Sequence, residues 1–138
     1  MAARVTSVFL YVKDVRRSLE FYNEVVGAEV LQVHAEHEGA PYSLAILRLG
    51  AFTLMLHPQE AHADEFVDTR LGVGIHLQLQ VDNVDGFYQH CMDQGAILSL
   101  SGEPADQPWG WREFAIRDPD GYVWSVYQDF TAGQWTTG

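Results

Sequence analysis

The sequence contains an internal repeat that constrains the fold more than any other feature. The pattern V-K-D-V, then F-Y, then G-A occurs over residues 12–28, and V-D-N-V, then F-Y, then G-A occurs over residues 81–96. Gly27 and Gly95 close the two copies, so 95 − 27 gives an offset of 68 residues in a chain of 138. A repeat of this length predicts two copies of one supersecondary module.

Hydrophobic periodicity predicts the same order of elements in both copies: a strand, a helix and three further strands. The first helix is expected to begin at an Asp14 cap and to end near Val26, before Gly27. The second is expected to be capped by Asp82 or Asn83 and to end before Gly95. The strands are expected near residues 4–12, 28–34, 42–49, 51–57, 74–81, 96–100, 111–117 and 122–128.

These elements predict an α+β fold made of two tandem βαβββ modules. We expect a single domain over residues 1–138, with the first module at about 4–57 and the second at about 74–128. An acidic linker, 58–73, joins the modules, and a tail, 129–138, follows the last strand. Trp135 in that tail has no assigned role.

Composition excludes several classes of function. The chain has 19 acidic and 8 basic residues, a formal net charge of −11, and so lacks the basic surface that nucleic-acid binding requires. Acidity of this size favours cationic partners and solubility. The single cysteine, Cys91, cannot form an intrachain disulfide. The N-terminal apolar run is short and broken by Lys13, so we expect neither a signal peptide nor membrane association but a cytoplasmic protein.

The duplicated module, the opening V-x-D-V-x-x-S-L-x-F-Y and the closing R-D-P-D-G resemble the glyoxalase/bleomycin-resistance/dioxygenase superfamily, also called vicinal oxygen chelate. The resemblance covers about residues 4–128. Residues 108–121 are particularly similar to bleomycin-resistance proteins, whereas residues 42–47 are similar to glyoxalase. It implies a curved, cup-shaped mixed sheet with helices on its outer face, and a homodimer. In metal-dependent members, the first and fourth strands of each module supply His and Glu ligands to one divalent ion, which acts as a Lewis acid.

Counting from the matched landmarks, the four ligand positions of such members fall on Ser7, Met55, His76 and Ser125. Only His76 is a ligand of the family type, and Ser and Met are poor ligands for a hard or borderline divalent ion. We therefore expect no metal cofactor at these positions. A displaced site is an alternative, in which His57, His76 and Glu113 would hold a divalent metal ion.

Strand alternation predicts which side chains line the cup. The expected lining is aromatic and amide-rich with few charges, which suits a flat or conjugated ligand; Glu113 would favour a cation. Trp109 and Trp111 could instead be core residues, because the irregular P-W-G leaves the direction of Trp111 open. Arg112 and Glu113 could instead form structural ion pairs across strands. The predicted ligand-binding residues are Ser7, Phe9, Tyr11, Met55, His57, His76, Gln78, Trp109, Trp111, Glu113 and Ser125.

The remaining chemistry-bearing side chains are assigned to the surface or the core. Cys91, on the apolar face of the second helix, and Trp124 are expected in the core. The expected surface histidines are His34, His37, His62 and His90.

These expectations leave three functions open. The first interpretation is a metal-independent, dimeric small-molecule-binding protein that sequesters an aromatic, cationic compound such as a bleomycin-type antibiotic, with no catalytic residues. The second is a vicinal-oxygen-chelate enzyme, a lyase, isomerase or dioxygenase, that uses the displaced ligand set or uses His57 or His76 as a general base. The third is a regulator or binding subunit that senses a metabolite.

Overall fold

The computed structural model describes residues 1–60, 70–99 and 102–131 and divides the chain into two compact units, Met1–Leu71 and Gly72–Gly138. His62 and Trp135 lie outside the described residues, as do most of the predicted linker and most of the predicted tail. No helix in the described ranges is both long and apolar enough to cross a bilayer. The boundary between the units falls inside the predicted linker; that both modules form one domain stays a prediction.

The first unit has the predicted order of elements. These are β1 (Ser7–Val12), α1 (Val15–Glu20), a π-helical continuation (Phe21–Val26), β2 (Glu29–Ala35), β3 (Tyr42–Leu49) and β4 (Phe52–Pro58). The strands form one mixed sheet in the order β1-β4-β3-β2, in which β1 and β4 are parallel. The Asp14 side chain accepts a hydrogen bond from the backbone N–H of Arg17 and caps α1 as predicted.

The second unit repeats this arrangement with one addition. It contains β5 (His76–Gln80), α2 (Val84–Asp93), β6 (Ile97–Ser99), β7 (Ala105–Asp106), β8 (Trp111–Arg117) and β9 (Val123–Asp129). Its sheet has the order β5-β9-β8-β6, with β7 paired to the other part of β8. The two-residue strand β7 was not predicted from the sequence, because two residues are too few to show alternation.

Each helix packs on one face of its own sheet. In the first unit, Leu10, Val12, Leu54 and Leu56 are almost completely buried on that face, together with Tyr22 from the helical segment. In the second, Val84 and Cys91 of α2 are fully buried, and Trp124 is 4% exposed as a core residue. Burying each large apolar side chain contributes roughly 1.5–3 kcal/mol. The core assignments of Cys91 and Trp124 are confirmed, and His34, His37 and His90 are exposed as predicted.

The second helix is capped by Asn83, whose side-chain oxygen accepts a hydrogen bond from the backbone N–H of Gly86. A Cβ atom on Gly86 would lie 2.7 Å from the Asn83 amide nitrogen. Glycine therefore leaves room for the capping side chain, although its low helix propensity destabilises the first turn. Of the two caps predicted from the sequence, Asn83 is the one the structure uses.

Candidate functional site

The parallel strand pairs β1–β4 and β5–β9 have equivalent registers. Ser7 pairs with Thr53 and His76 with Val123, and two residues further along Phe9 pairs with Met55 and Gln78 with Ser125. Ser7 is thus the counterpart of His76, and Met55 is the counterpart of Ser125. The four expected metal-ligand positions therefore form two equivalent pairs, one in each module.

The residues at these four positions do not fit a divalent metal. His76 is the only strong donor among them, and its Nε2 lies 2.6 Å from Oγ of Ser125, so that nitrogen already takes part in a hydrogen bond. The other three positions carry the hydroxyls of Ser7 and Ser125 and the thioether of Met55, which are poor ligands for a divalent ion. Among residues 1–60, 70–99 and 102–131, no group of three His, Cys, Asp or Glu side chains is placed to hold a metal ion. Of the displaced set, His76 and Glu113 line one cavity, whereas His57 belongs to the first unit.

The second unit contains an open cavity of about 530 Å³ on the sheet face opposite α2. Strand alternation brings His76 and Gln78 of β5, Glu113 of β8 and Ser125 of β9 to this face. Six of the eleven predicted ligand-binding residues line the cavity, and Leu77 was not predicted. The lining residues are His76, Leu77, Gln78, Trp109, Trp111, Glu113 and Ser125.

Two indoles line the cavity, and the ring of Tyr127 supports one of them. Trp111 stacks on Tyr127, with ring centroids 3.9 Å apart and planes inclined by 15°. Trp109 meets Trp111 edge to face, at 6.4 Å and 77°, and remains 43% exposed. Trp111 is therefore half-buried within the wall, while Trp109 presents aromatic surface to solvent at the cavity.

A tight turn before β8 fixes the position of Trp109. The backbone N–H of Gly110 donates to the carbonyl of Gln107, and the N–H of Gln107 donates to the carbonyl of Trp111. Gly110 has φ of +91°, and a Cβ atom there would lie 2.6 Å from Cγ2 of Thr131. The P-W-G segment thus needs glycine at its third position. This turn interrupts the alternation, which is why the direction of Trp111 could not be deduced from the sequence.

Asp129 closes the turn at the end of β9. Its Oδ1 accepts hydrogen bonds from the hydroxyl and the backbone N–H of Thr131. These bonds hold the pKa of Asp129 below its ordinary value. Asp129 was not among the predicted site residues, although the D-x-T spacing before the tail is typical of side-chain capping of a backbone turn.

The two charged residues of β8 have different surroundings. Arg112 forms ion pairs with Asp85 of α2 at 3.0 Å and with Asp106 of β7 at 3.2 Å, and these hydrogen-bonded carboxylates raise the pKa of Arg112. The Glu113 carboxylate lines the cavity and has no ion-pair or hydrogen-bond partner in the described part of the chain. The ion pair considered for both residues therefore applies to Arg112.

The other five predicted ligand-binding residues lie on the first unit. Phe9, Tyr11, Met55 and His57 share one face of β1 and β4, on the side away from α1, with Ser7 at the start of β1. The Phe9 ring lies 4.5 Å from the His57 ring and 5.1 Å from the Tyr11 ring, measured between centroids. These residues form a partly exposed aromatic face of their own.

Sequence comparison identifies the family to which this fold and site belong. Residues 4–126 match the model of the Glyoxalase/Bleomycin resistance protein/Dioxygenase superfamily, and the chain belongs to that superfamily. The resemblance deduced from the repeat and its motifs is thereby confirmed.

The chain is similar in sequence to an enzyme and similar in structure to a binding protein. An uncharacterised protein of Mycobacterium bovis is 32% identical over 126 residues, covering 88% of this chain and 81% of the relative. Lactoylglutathione lyase of Escherichia coli O157:H7 is 26% identical over 132 residues, covering 95% of this chain and 96% of the enzyme. The crystal structure of TnmS3, an antibiotic-binding protein from Streptomyces sp. CB03234, has a TM-score of 0.71 at 23% identity, covering 93% of this chain and 97% of that one.

Proposed function

We propose that this protein binds a planar, cationic small molecule without a metal ion and thereby sequesters it, a bleomycin-type antibiotic being the kind of compound expected. The observation that carries the proposal is the pair of indoles, Trp109 and Trp111, that lines the cavity beside the carboxylate of Glu113. A solved neighbour of the same fold, TnmS3, is an antibiotic-binding protein, which supports the proposal at the level of the superfamily.

The chemistry of the cavity accounts for such a ligand. The exposed Trp109 offers a surface on which a flat ring can stack, worth roughly 0.5–1.5 kcal/mol per aromatic pair beyond the burial of area. A cation close to an indole face gains further attraction. Glu113 adds a negative charge that the described residues do not neutralise, and the chain's net charge of −11 attracts cations at longer range. Gln78 supplies an amide for the polar edge of the ligand.

The absence of suitable ligands at the family's metal positions supports independence from metal. Ser7, Met55 and Ser125 replace strong ligands, and the remaining His76 is hydrogen-bonded to Ser125. Sequestration requires affinity alone and no reacting group, so the proposed function needs neither the metal nor a catalytic base.

A fluorescence titration tests this function. Tryptophan emission is followed while three probes are added in turn: a planar cation of the acridine type, a planar neutral hydrocarbon of similar size, and tetramethylammonium. We expect saturable quenching by the planar cation, with at least tenfold weaker binding of the other two. Trp109→Ala should weaken binding of the planar cation at least fivefold. Ile97→Ala, which removes an apolar side chain that is 66% exposed on β6 and does not line the cavity, should leave it unchanged.

We also propose that the protein acts in the cytoplasm as a homodimer. Strand β2 lies at the end of its sheet and carries exposed Val30, Leu31 and Val33, an apolar edge of the kind that proteins cover by pairing. Light scattering of the purified protein should give the mass of two chains. Replacing Leu31 with Lys should shift the mass toward one chain if this edge contributes to the interface.

A metal-dependent lyase, isomerase or dioxygenase is the second candidate. It is favoured by one observation, the 26% identity to lactoylglutathione lyase over nearly the full length of both chains. In this alternative His76 and Glu113, which line one cavity, would be ligands, and no third His, Cys, Asp or Glu among the described residues is placed with them. Near-stoichiometric, chelator-removable metal in untagged protein, together with metal-dependent turnover lost in His76→Ala, would support the enzyme and overturn metal-free sequestration.

A further inference from the structure

The hydrogen bond between His76 and Ser125 is also the arrangement that a serine nucleophile requires. Nε2 of His76 lies 2.6 Å from Oγ of Ser125, within the range in which an imidazole can take a hydroxyl proton. Both residues line the 530 Å³ cavity, so a ligand bound there can reach them. Parallel pairing of β5 and β9 fixes their relative position on rigid strands.

The neighbouring side chains supply the other groups that acyl transfer needs. Gln78 is the direct partner of Ser125 in the parallel pair, and its amide has no hydrogen-bond partner among the described residues. An amide N–H at this position can donate to the oxyanion that forms on a carbonyl attacked by Ser125. Strand register thus brings Ser125, its direct partner Gln78 and its diagonal neighbour His76 to the same face of β5 and β9.

The position of Glu113 specifies the charge of the acyl compound. Glu113 pairs with Tyr127, whereas Ser125 pairs with Ala115, so Glu113 is a diagonal neighbour of Ser125 on the same face. Diagonal neighbours on adjacent strands are about 7–8 Å apart. A carboxylate at that distance can hold an ammonium group that a short linker joins to the acyl carbonyl, with the indole of Trp109 or Trp111 against the cation.

We propose that Ser125 and His76 form a catalytic dyad that cleaves esters or thioesters carrying a cationic group. Ser125 Oγ bonds to the acyl carbon while His76 Nε2 takes its proton, and the carbonyl electrons move to oxygen. Collapse breaks the bond to the leaving alcohol or thiol, which receives that proton from His76. Water then attacks the acyl-serine with His76 again as base, releasing the acid and restoring the hydroxyl of Ser125.

This inference rests on the same cavity as the proposed function and adds a reaction to binding. The probe is acetylthiocholine, compared with its uncharged isostere 3,3-dimethylbutyl thioacetate, and the release of thiol is measured with an aromatic disulfide. We expect saturable hydrolysis of acetylthiocholine with kcat/KM at least tenfold above that of the neutral thioester. Glu113→Gln should remove most of that preference, while Ser125→Ala and His76→Ala should lower kcat about 100-fold or more.

Matched controls separate the dyad from general effects of substitution. Ser43→Ala and His37→Ala change the same residue types in the first unit, do not line the cavity of the dyad, and should hydrolyse acetylthiocholine at the wild-type rate. Because Ser125 is buried and its replacement can affect folding, the wild-type protein is also treated with a fluorophosphonate. A mass increase on the tryptic peptide that contains Ser125 is expected, and its loss on preincubation with acetylthiocholine.

Hydrolysis that Ser125→Ala leaves unchanged, or a fluorophosphonate adduct confined to other residues, would overturn the dyad. Neither result bears on sequestration, because the planar-cation titration follows tryptophan emission and needs no reaction. Conversely, hydrolysis through Ser125 without saturable binding of the planar cation would retain the dyad and reject the proposed ligand class.

Discussion

Trp111 lies parallel to Tyr127 at 3.9 Å, so one face of its indole is covered by the protein itself. The stack joins β8 to β9. Of the two indoles, Trp109 is the exposed one. Replacing Tyr127 with Leu keeps apolar volume but removes the stacking, so we expect a loss of about 0.5–1.5 kcal/mol in the free energy of unfolding. Urea unfolding followed by far-UV circular dichroism measures it, and an unchanged midpoint would contradict a stabilising stack.

Gly110 is expected to be the least replaceable residue of the turn that presents Trp109. Alanine there would adopt a left-handed φ and would bring its Cβ to 2.6 Å from the Thr131 methyl group. The backbone strain alone costs about 1–2 kcal/mol, and the clash adds to it. We therefore expect Gly110→Ala to lower the thermal midpoint and to weaken binding of the planar cation.

The double variant Gly110→Ala with Thr131→Ser separates these two causes. Serine keeps the hydroxyl that donates to Asp129 and removes the clashing methyl group. Partial recovery of stability is expected, because the clash is relieved and the left-handed strain is not. Full recovery would show that the backbone strain contributes little. No recovery would show that the clash with the methyl group contributes little.

Asp129, the cross-strand partner of Trp111, is sensitive to acid. Its hydrogen bonds from Thr131 hold its pKa below the ordinary value of 3.8. A carboxyl group with a lowered pKa contributes stability that is complete above the ordinary pKa and is lost as the pH falls through the lowered value. We expect tryptophan emission to change below pH 3.8 in the wild type, and Asp129→Asn to remove that dependence while a control variant, Asp93→Asn on α2, does not.

Cys91 is expected to be inert in the folded protein. Burial raises the pKa of its thiol from 9.0 to about 11, since the thiolate is disfavoured in the core. A group whose folded pKa is raised contributes stability below the unfolded pKa and loses it as the pH rises toward the folded one. Stability should therefore fall between pH 9 and 11, less so in Cys91→Ala. Native protein should react with a disulfide reagent at pH 8 at least 100-fold more slowly than urea-unfolded protein.

Much of the fold could be predicted because the repeat and the periodicity are local properties of the sequence. Asp14, Gly27 and Gly95 are placed at helix ends by capping and by positive φ, and both effects depend on a few neighbouring residues. The helix changes from α- to π-helical geometry at Phe21, and no local sequence pattern marks that change. That is why a single uninterrupted helix was the sequence prediction.

The candidate site was predictable to the extent that it depends on strand alternation. His76, Gln78, Glu113 and Ser125 reach the cavity because each strand keeps its period of two. The hydrogen bond between His76 and Ser125, and those from Thr131 to Asp129, depend on side-chain conformations that alternation does not determine. Trp111 follows an irregular turn, so alternation could not predict which face of β8 its side chain occupies.

Calorimetric titration of chelator-treated protein with metal-free bleomycin is the direct test of metal-free sequestration. Before the titration, elemental analysis confirms that the protein contains less than about a tenth of an equivalent of divalent metal. We expect saturable binding under these conditions, weakened at least fivefold in both Trp109→Ala and Glu113→Gln. Binding that appears only after metal is restored, or that both variants leave unchanged, would contradict metal-free sequestration in this cavity.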